Sequence, residues 1–263
     1  MSFAAGSIPM GAGDSLMLND NGLGIFGVHA TLADLGPINL EYYGGNTETS
    51  NFGSEKVLFN YGNLSFQRMG KWALGFMSEL DKTPRTLNLG ANAGKARRNY
   101  YVVHYDQKAQ SFSFHSEFVQ SQGGYFVPGA NSLQKIQTKA SAYVFEGMWN
   151  AHLPRLEFIG PVDIRFTYAQ GSGDKQTTPT DEAYYAPLAS RFDGVKRTGW
   201  GALLGASTFD ALASSATWNG LPGGLSGITT LGLYFKTKAY SIIGMPVEFG
   251  IADRSKRPAE LSG

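Results

Sequence analysis

The sequence predicts an all-β fold, a transmembrane antiparallel up-and-down β-barrel, and three observations predict it. Three turns share one pattern, Leu35-Gly36-Pro37-Ile38, Ile159-Gly160-Pro161-Val162 and Ile243-Gly244-Met245-Pro246-Val247, and each opens a run of alternating apolar and polar residues. Short turns and long polar loops alternate along the chain, as they must when every strand goes up or down through a slab. No run reaches the roughly 18 apolar residues of a membrane helix, so any crossing is made by strands.

Period-two alternation gives ten strands, near 24–33, 37–45, 56–66, 71–80, 99–106, 110–120, 135–149, 161–170, 226–240 and 246–253. The first two flank the turn at 34–37, and in the second Ile38, Leu40 and Tyr42 alternate with Asn39, Glu41 and Tyr43. The next pair flanks a turn at 67–70. In 99–106, Tyr101, Val103 and Tyr105 oppose Tyr100, Val102, His104 and Asp106, and a short polar turn at 106–109 leads into 110–120. There Phe112, Phe114, Ser116 and Phe118 take one face and Ser111, Ser113, His115 and Glu117 the other. Val162, Ile164, Phe166 and Tyr168 alternate with Asp163, Arg165, Thr167 and Ala169, and Leu231, Leu233 and Phe235 oppose Gly232, Tyr234, Lys236 and Lys238.

The remaining short turns fall at 150–160 and 242–246, and the long loops at 45–55, 81–98, 121–134 and 171–225. A sandwich with Greek-key crossings has no reason to sort its loops by length onto two ends. Hydrocarbon offers no hydrogen-bond partner, so only a closed sheet satisfies the backbone there, with about 9–11 tilted residues per strand. Tyr42, Tyr43, Tyr61, Trp72, Tyr143, Trp149, Tyr168 and Phe249 stand near strand ends, where aromatic girdles form, although Tyr43 lies on a polar face and reads as a packed residue. The whole of 1–263 reads as one domain with a long inserted loop at 171–225, in which Phe209 to Ala216 suits one or two helical turns. A loop of that length is expected to do something, and folding into the lumen to narrow it is the expectation here.

Composition bounds the partners. A formal net charge of +1 leaves no basic stripe for nucleic acid, so none is expected. The absence of Cys removes disulfides, thiolate metal sites and Cys nucleophiles. Mean hydropathy is slightly negative, which does not separate a soluble β protein from a barrel whose strands face water on one side. The start, Met1-Ser2-Phe3-Ala4-Ala5-Gly6, lacks the features of a signal peptide, so an outer-membrane protein would be present here as a processed form or a fragment.

Alternation points His29, Asn39, Glu41, His104, His115, Glu117, Lys139, Asp163, Arg165, Lys236 and Lys238 inward. Glu41, His115, Glu117, Lys139, Asp163, Arg165, Lys236 and Lys238 are the candidate pore lining, and the cations among them favour anionic solutes unless they pair with acids. Asp163 and Arg165, two apart on one face, are such a pair. Asp174, Asp181 and Glu182 are the candidate loop constriction; clustered carboxylates suit Ca²⁺, but nothing fixes that geometry and no metal is assigned. Lys95, Arg97 and Arg98 form a basic loop end, either solvated or against lipid head groups and lipopolysaccharide phosphates. A turn at 106–109 would set His104 opposite Ser111, a Ser–His pair that more often means a hydrogen-bonded wall than a catalyst. No cofactor motif is present, and no enzyme activity is expected.

Two stretches resemble alginate-export-type outer-membrane barrels and related substrate-specific porins. One runs Tyr168-Ala169-Gln170-Gly171-Ser172-Gly173-Asp174, then Thr180-Asp181-Glu182-Ala183-Tyr184-Tyr185-Ala186-Pro187-Leu188 and Gly199-Trp200-Gly201. The other is Ile8-Pro9-Met10-Gly11-Ala12-Gly13-Asp14, with Ser7 where the family usually has arginine. The resemblance implies a barrel of about 16–18 strands, of which this chain supplies about ten. It implies a porin in the outer membrane of a Gram-negative bacterium, passing small polar or anionic solutes by diffusion, with a homotrimer among the assemblies such porins adopt. A barrel sheath around a partner protein such as a cytochrome, and an outer-membrane hydrolase, are the alternatives.

Overall fold

The structure, a computed structural model, describes residues 1–8, 11–12, 18–19, 25–46, 57–81, 96–128, 133–151, 162–174, 179–184, 227–237 and 247–256. Every described element is a β-strand: β1 (Ser2–Ile8), β2 (Gly11–Ala12), β3 (Leu18–Asn19), β4 (Ile25–Leu35), β5 (Ile38–Asn46), β6 (Val57–Gln67), β7 (Lys71–Asp81), β8 (Ala96–Lys108), β9 (Phe112–Pro128), β10 (Leu133–Ala151), β11 (Val162–Gly171), β12 (Thr180–Asp181), β13 (Ile228–Thr237) and β14 (Val247–Lys256). Eleven of them form one antiparallel sheet in the order β1-β4-β5-β6-β7-β8-β9-β10-β11-β13-β14. Each long strand thus lies beside its predecessor, the meander that the loop parity predicts. The short β12 adds in parallel to β10, and β2 pairs with β3 in a separate ribbon.

All ten expected strands are present, nine of them within a few residues of their expected ends and β9 running eight residues past its own, and β1 is an eleventh. Its run Ala4-Ala5-Gly6-Ser7 carries too little side chain to alternate visibly, yet it pairs with β4 from Ser2↔Thr31 to Ile8↔Ile25. The expected loop at 121–134 is corrected: β9 and β10 stay paired out to Pro128 and Leu133, leaving four residues between them. Gly123 belongs to this extension, where a Cβ would come within 2.0 Å of the Arg97 carbonyl oxygen on β8, so the two backbones meet only at a glycine. The turn of the β8–β9 hairpin is Ala109–Ser111 rather than 106–109, because the ladder continues to Lys108↔Ser113. Among the described residues no pairing joins β1 to β14, so closure is not part of the described sheet.

The two faces of the sheet differ sharply. On one lie Leu40, Leu64, Leu74, Phe76, Val103, Phe118, Phe166, Leu231 and Leu233, all exposed, with Leu74 and Phe76 at 45%. On the other lie Ser65, Glu79, Arg98, His104, His115, Glu117, Ser121, Thr167 and Thr230, all buried, beside Phe59, Met77, Tyr100 and Val119. Along the exposed face an aromatic chain crosses six strands: Phe66, Trp72, Tyr105, Phe114, Phe145 and Phe166, with successive ring centroids 4.3 to 6.4 Å apart. Trp149, half exposed, stands on the same face near the turn end of β10.

Candidate functional site

Alternation along two neighbouring strands builds a polar cluster on the buried face. His104 and Asp106 are two apart on β8, and His115 and Glu117 two apart on β9, so all four side chains leave the same side of the sheet. The register sets His104 opposite Glu117 and Asp106 opposite His115. His115 donates from Nδ1 to Asp106 Oδ1 at 2.8 Å, while His104 bonds through Nε2 to the second Asp106 oxygen. The two imidazoles meet edge to face with centroids 4.9 Å apart. Behind them Glu117, fully buried, places an oxygen 3.9 Å from His104 Nδ1.

A cleft of about 600 Å³ reaches this cluster from the short-turn end of the sheet. Asp106 and His115 form part of its wall, together with Gln67, Lys71, Lys108 and Glu146. Further along the buried face, toward the long loops, Arg98 meets Glu79 through Nη2 and through Nε at 3.1 Å, and its guanidinium carbon lies 5.9 Å from the Tyr100 ring centroid. On β4 and β5, His29 stacks on Tyr43 at 4.2 Å and lies 4.0 Å from Glu41, whose other oxygen accepts from Asn63 at 3.4 Å.

Of the candidate pore lining, Glu41, His115, Glu117, Asp163, Arg165 and Lys236 share the polar face. Asp163 and Arg165 do not neutralise each other: Asp163 accepts from Asn150 Nδ2 at 2.6 Å, and Arg165 lies 3.8 Å from Glu146. Lys139 is corrected. It is exposed on the apolar face with Tyr143 and Phe145, because β10 turns its even-numbered residues Ala140, Ala142 and Val144 to the buried side. Gln137, Lys139 and Ser141 are polar on that outward side, so the pattern there carries no phase. Lys238 lies outside the described residues, as does Lys95. The side chain of Phe249 is not described. Arg98 is a second correction, buried in its pair with Glu79 instead of lying in a solvated loop end, while Arg97 is exposed as expected. The Ser–His pairing is a third, since Glu117 and not Ser111 faces His104.

The loop acids do not converge on one point. Asp181 is buried, accepting from the Tyr125 hydroxyl at 3.0 Å and from its neighbour Ala183 N–H at 2.9 Å. Glu182 contributes its carbonyl, which accepts from Ser172 Oγ at 2.7 Å, and Asp174 stands half-buried just past β11. Ser172 gathers this region: its amide donates to Ser141, and its carbonyl accepts from both Tyr184 and Gly227. Sequence reasoning missed Glu79 as an inward acid and treated Asp106 as part of a turn. Both obey the alternation of their strands, which was the available signal. No protein-family model matches the chain, and no curated protein matches it.

Proposed function

We propose that the chain is the wall, or part of the wall, of a transmembrane β-barrel that passes small polar solutes across an outer membrane. The observation that carries this reading is the inverted sheet: large apolar side chains stand exposed on one face while Glu79, Arg98, His104 and Glu117 are buried on the other. In water such an arrangement costs about 25 cal/mol for every Å² of apolar surface left wet. Against lipid that cost disappears, and the polar face is turned away from the hydrocarbon, toward the interior of the wall. The aromatic chain from Phe66 to Phe166 and Trp149 supports the reading, since rings of this kind settle at the boundary of the hydrocarbon.

The pairing of charges favours uncharged polar solutes over anions. Arg98 and Arg165 each stand beside a glutamate, and Lys236 is the cross-strand neighbour of Asp163. Fields from such pairs largely cancel within a Debye length of about 8 Å at physiological salt. The resemblance to alginate-export-type porins is compatible with this reading and goes no further than short motifs. The test is conductance: full-length protein refolded into planar bilayers should give discrete, ohmic steps with weak anion–cation preference. Refolded protein that inserts but gives no steps, or that carries a tightly held partner protein, defeats the conduit reading.

A further inference from the structure

We propose that His104, Asp106 and His115 form a binding site for a divalent cation of the zinc class, at the turn end of the polar face. Two imidazoles and one carboxylate are the donor set that borderline transition cations prefer, and it discriminates against Mg²⁺ and Ca²⁺, which take oxygen ligands. One ligand atom from each of the three residues already lies within 4.8 Å of the others. Tetrahedral coordination at about 2.0–2.1 Å brings such atoms to about 3.3 Å, a change that small rotations of the imidazoles supply. Among the described residues no other group of His, Asp and Glu comes as close to sharing an ion.

Two further features of the structure point to a ligand. The fully buried Glu117 stands behind His104, 3.9 Å from the nitrogen remote from Asp106, within a small shift of the carboxylate–imidazole hydrogen bond that orients a ligating histidine. The cleft beside Asp106 and His115 supplies an entry path and room for water or a solute atom in the positions that the three residues leave open. Lys71 and Lys108 line the same cleft as the carboxylates of Asp106 and Glu146, so the lining carries both signs of charge.

The site is independent of the conduit reading, because binding is measured on folded protein in detergent whether or not it conducts. Full-length protein should bind one Zn²⁺ by titration calorimetry and develop the visible bands of imidazole-ligated Co²⁺, and excess Mg²⁺ should displace neither. His115→Ala and His104→Ala should each weaken Zn²⁺ at least 100-fold and abolish the Co²⁺ bands. Glu117→Gln, acting through His104, should weaken it about 10–100-fold with the stoichiometry kept. Wild-type protein without Co²⁺ bands overturns the site and needs no variant to fold. Zn²⁺ held with unchanged affinity by the folded His104→Ala/His115→Ala double variant overturns it as well, by placing the ion elsewhere.

Discussion

At the scale of single residues, Arg98 shows how a charge can be legible in type and hidden in role. In the sequence it ends a basic loop; in the structure it is 2% exposed and shares its carboxylate partner Glu79 with no solvent. Two buried charges that compensate each other add little net stability, but removing one leaves the charge of the other without its opposite in a poorly polarisable medium. Arg98→Ala should therefore lower the free energy of unfolding by about 3–5 kcal/mol in a urea titration in detergent micelles, and adding Glu79→Gln should restore part of it. Equal losses from the single and the double change would show that the charge pair is not the cause. The same limit on legibility applies to the His104, Asp106, His115 and Glu117 cluster. Alternation places all four on one face, but their meeting depends on a register that a turn shifted by three residues changes completely. With the turn at 106–109 His104 faces Ser111; with the turn at Ala109–Ser111 it faces Glu117.

At the scale of strands, alternation was readable wherever one face is apolar. The stripes of β7, β8, β9 and β13 show it, and their Leu74, Phe76, Val103, Phe118, Leu231 and Leu233 are all exposed as the pattern requires. The reading failed in β1 and in Ser121–Pro128, the extension of β9, while in residues 135–141 of β10 it found the strand and lost its phase. There the outward side carries Gln120, Gln122, Gln137 and Lys139 while the inward side stays buried, so pairing continues although the hydrophobic alternation stops. The loss of phase there also misplaced Lys139. Phe76, near the middle of β7, offers a test of what its face meets. Phe76→Lys should cost about 2–4 kcal/mol in reversible folding into lipid vesicles, the penalty for a cation at the bilayer midplane. On a protein that keeps this face in water, the change would be neutral or would improve solubility.

For the whole molecule, the alternation of turns and loops carried the meander order of the ten expected strands, although the β9–β10 connection is as short as the turns and β1 was not among the ten. Closure was not legible in the same way, because it depends on what pairs with the outer edges of β1 and β14. The exposed apolar face has a direct solution consequence. The refolded chain should stay monodisperse in detergent or amphipol and aggregate on their removal, as read by light scattering; a monodisperse particle in plain buffer would indicate a soluble β protein instead.

Ser172 adds a different kind of consequence. The chain leaves β11 at this serine and comes back to it, since the amide of Gly227 donates to the Ser172 carbonyl at 3.1 Å. The intervening span is thus cinched at its neck, like a purse on a drawstring, and the strands on either side do not depend on how long the purse is. Because ring-closure entropy grows by only about 0.6 kcal/mol for each doubling of length, this span can lengthen, shorten or be exchanged while the ladder from β11 to β13 keeps its register. Sequence change can then accumulate in the span far faster than in the ladder that carries it.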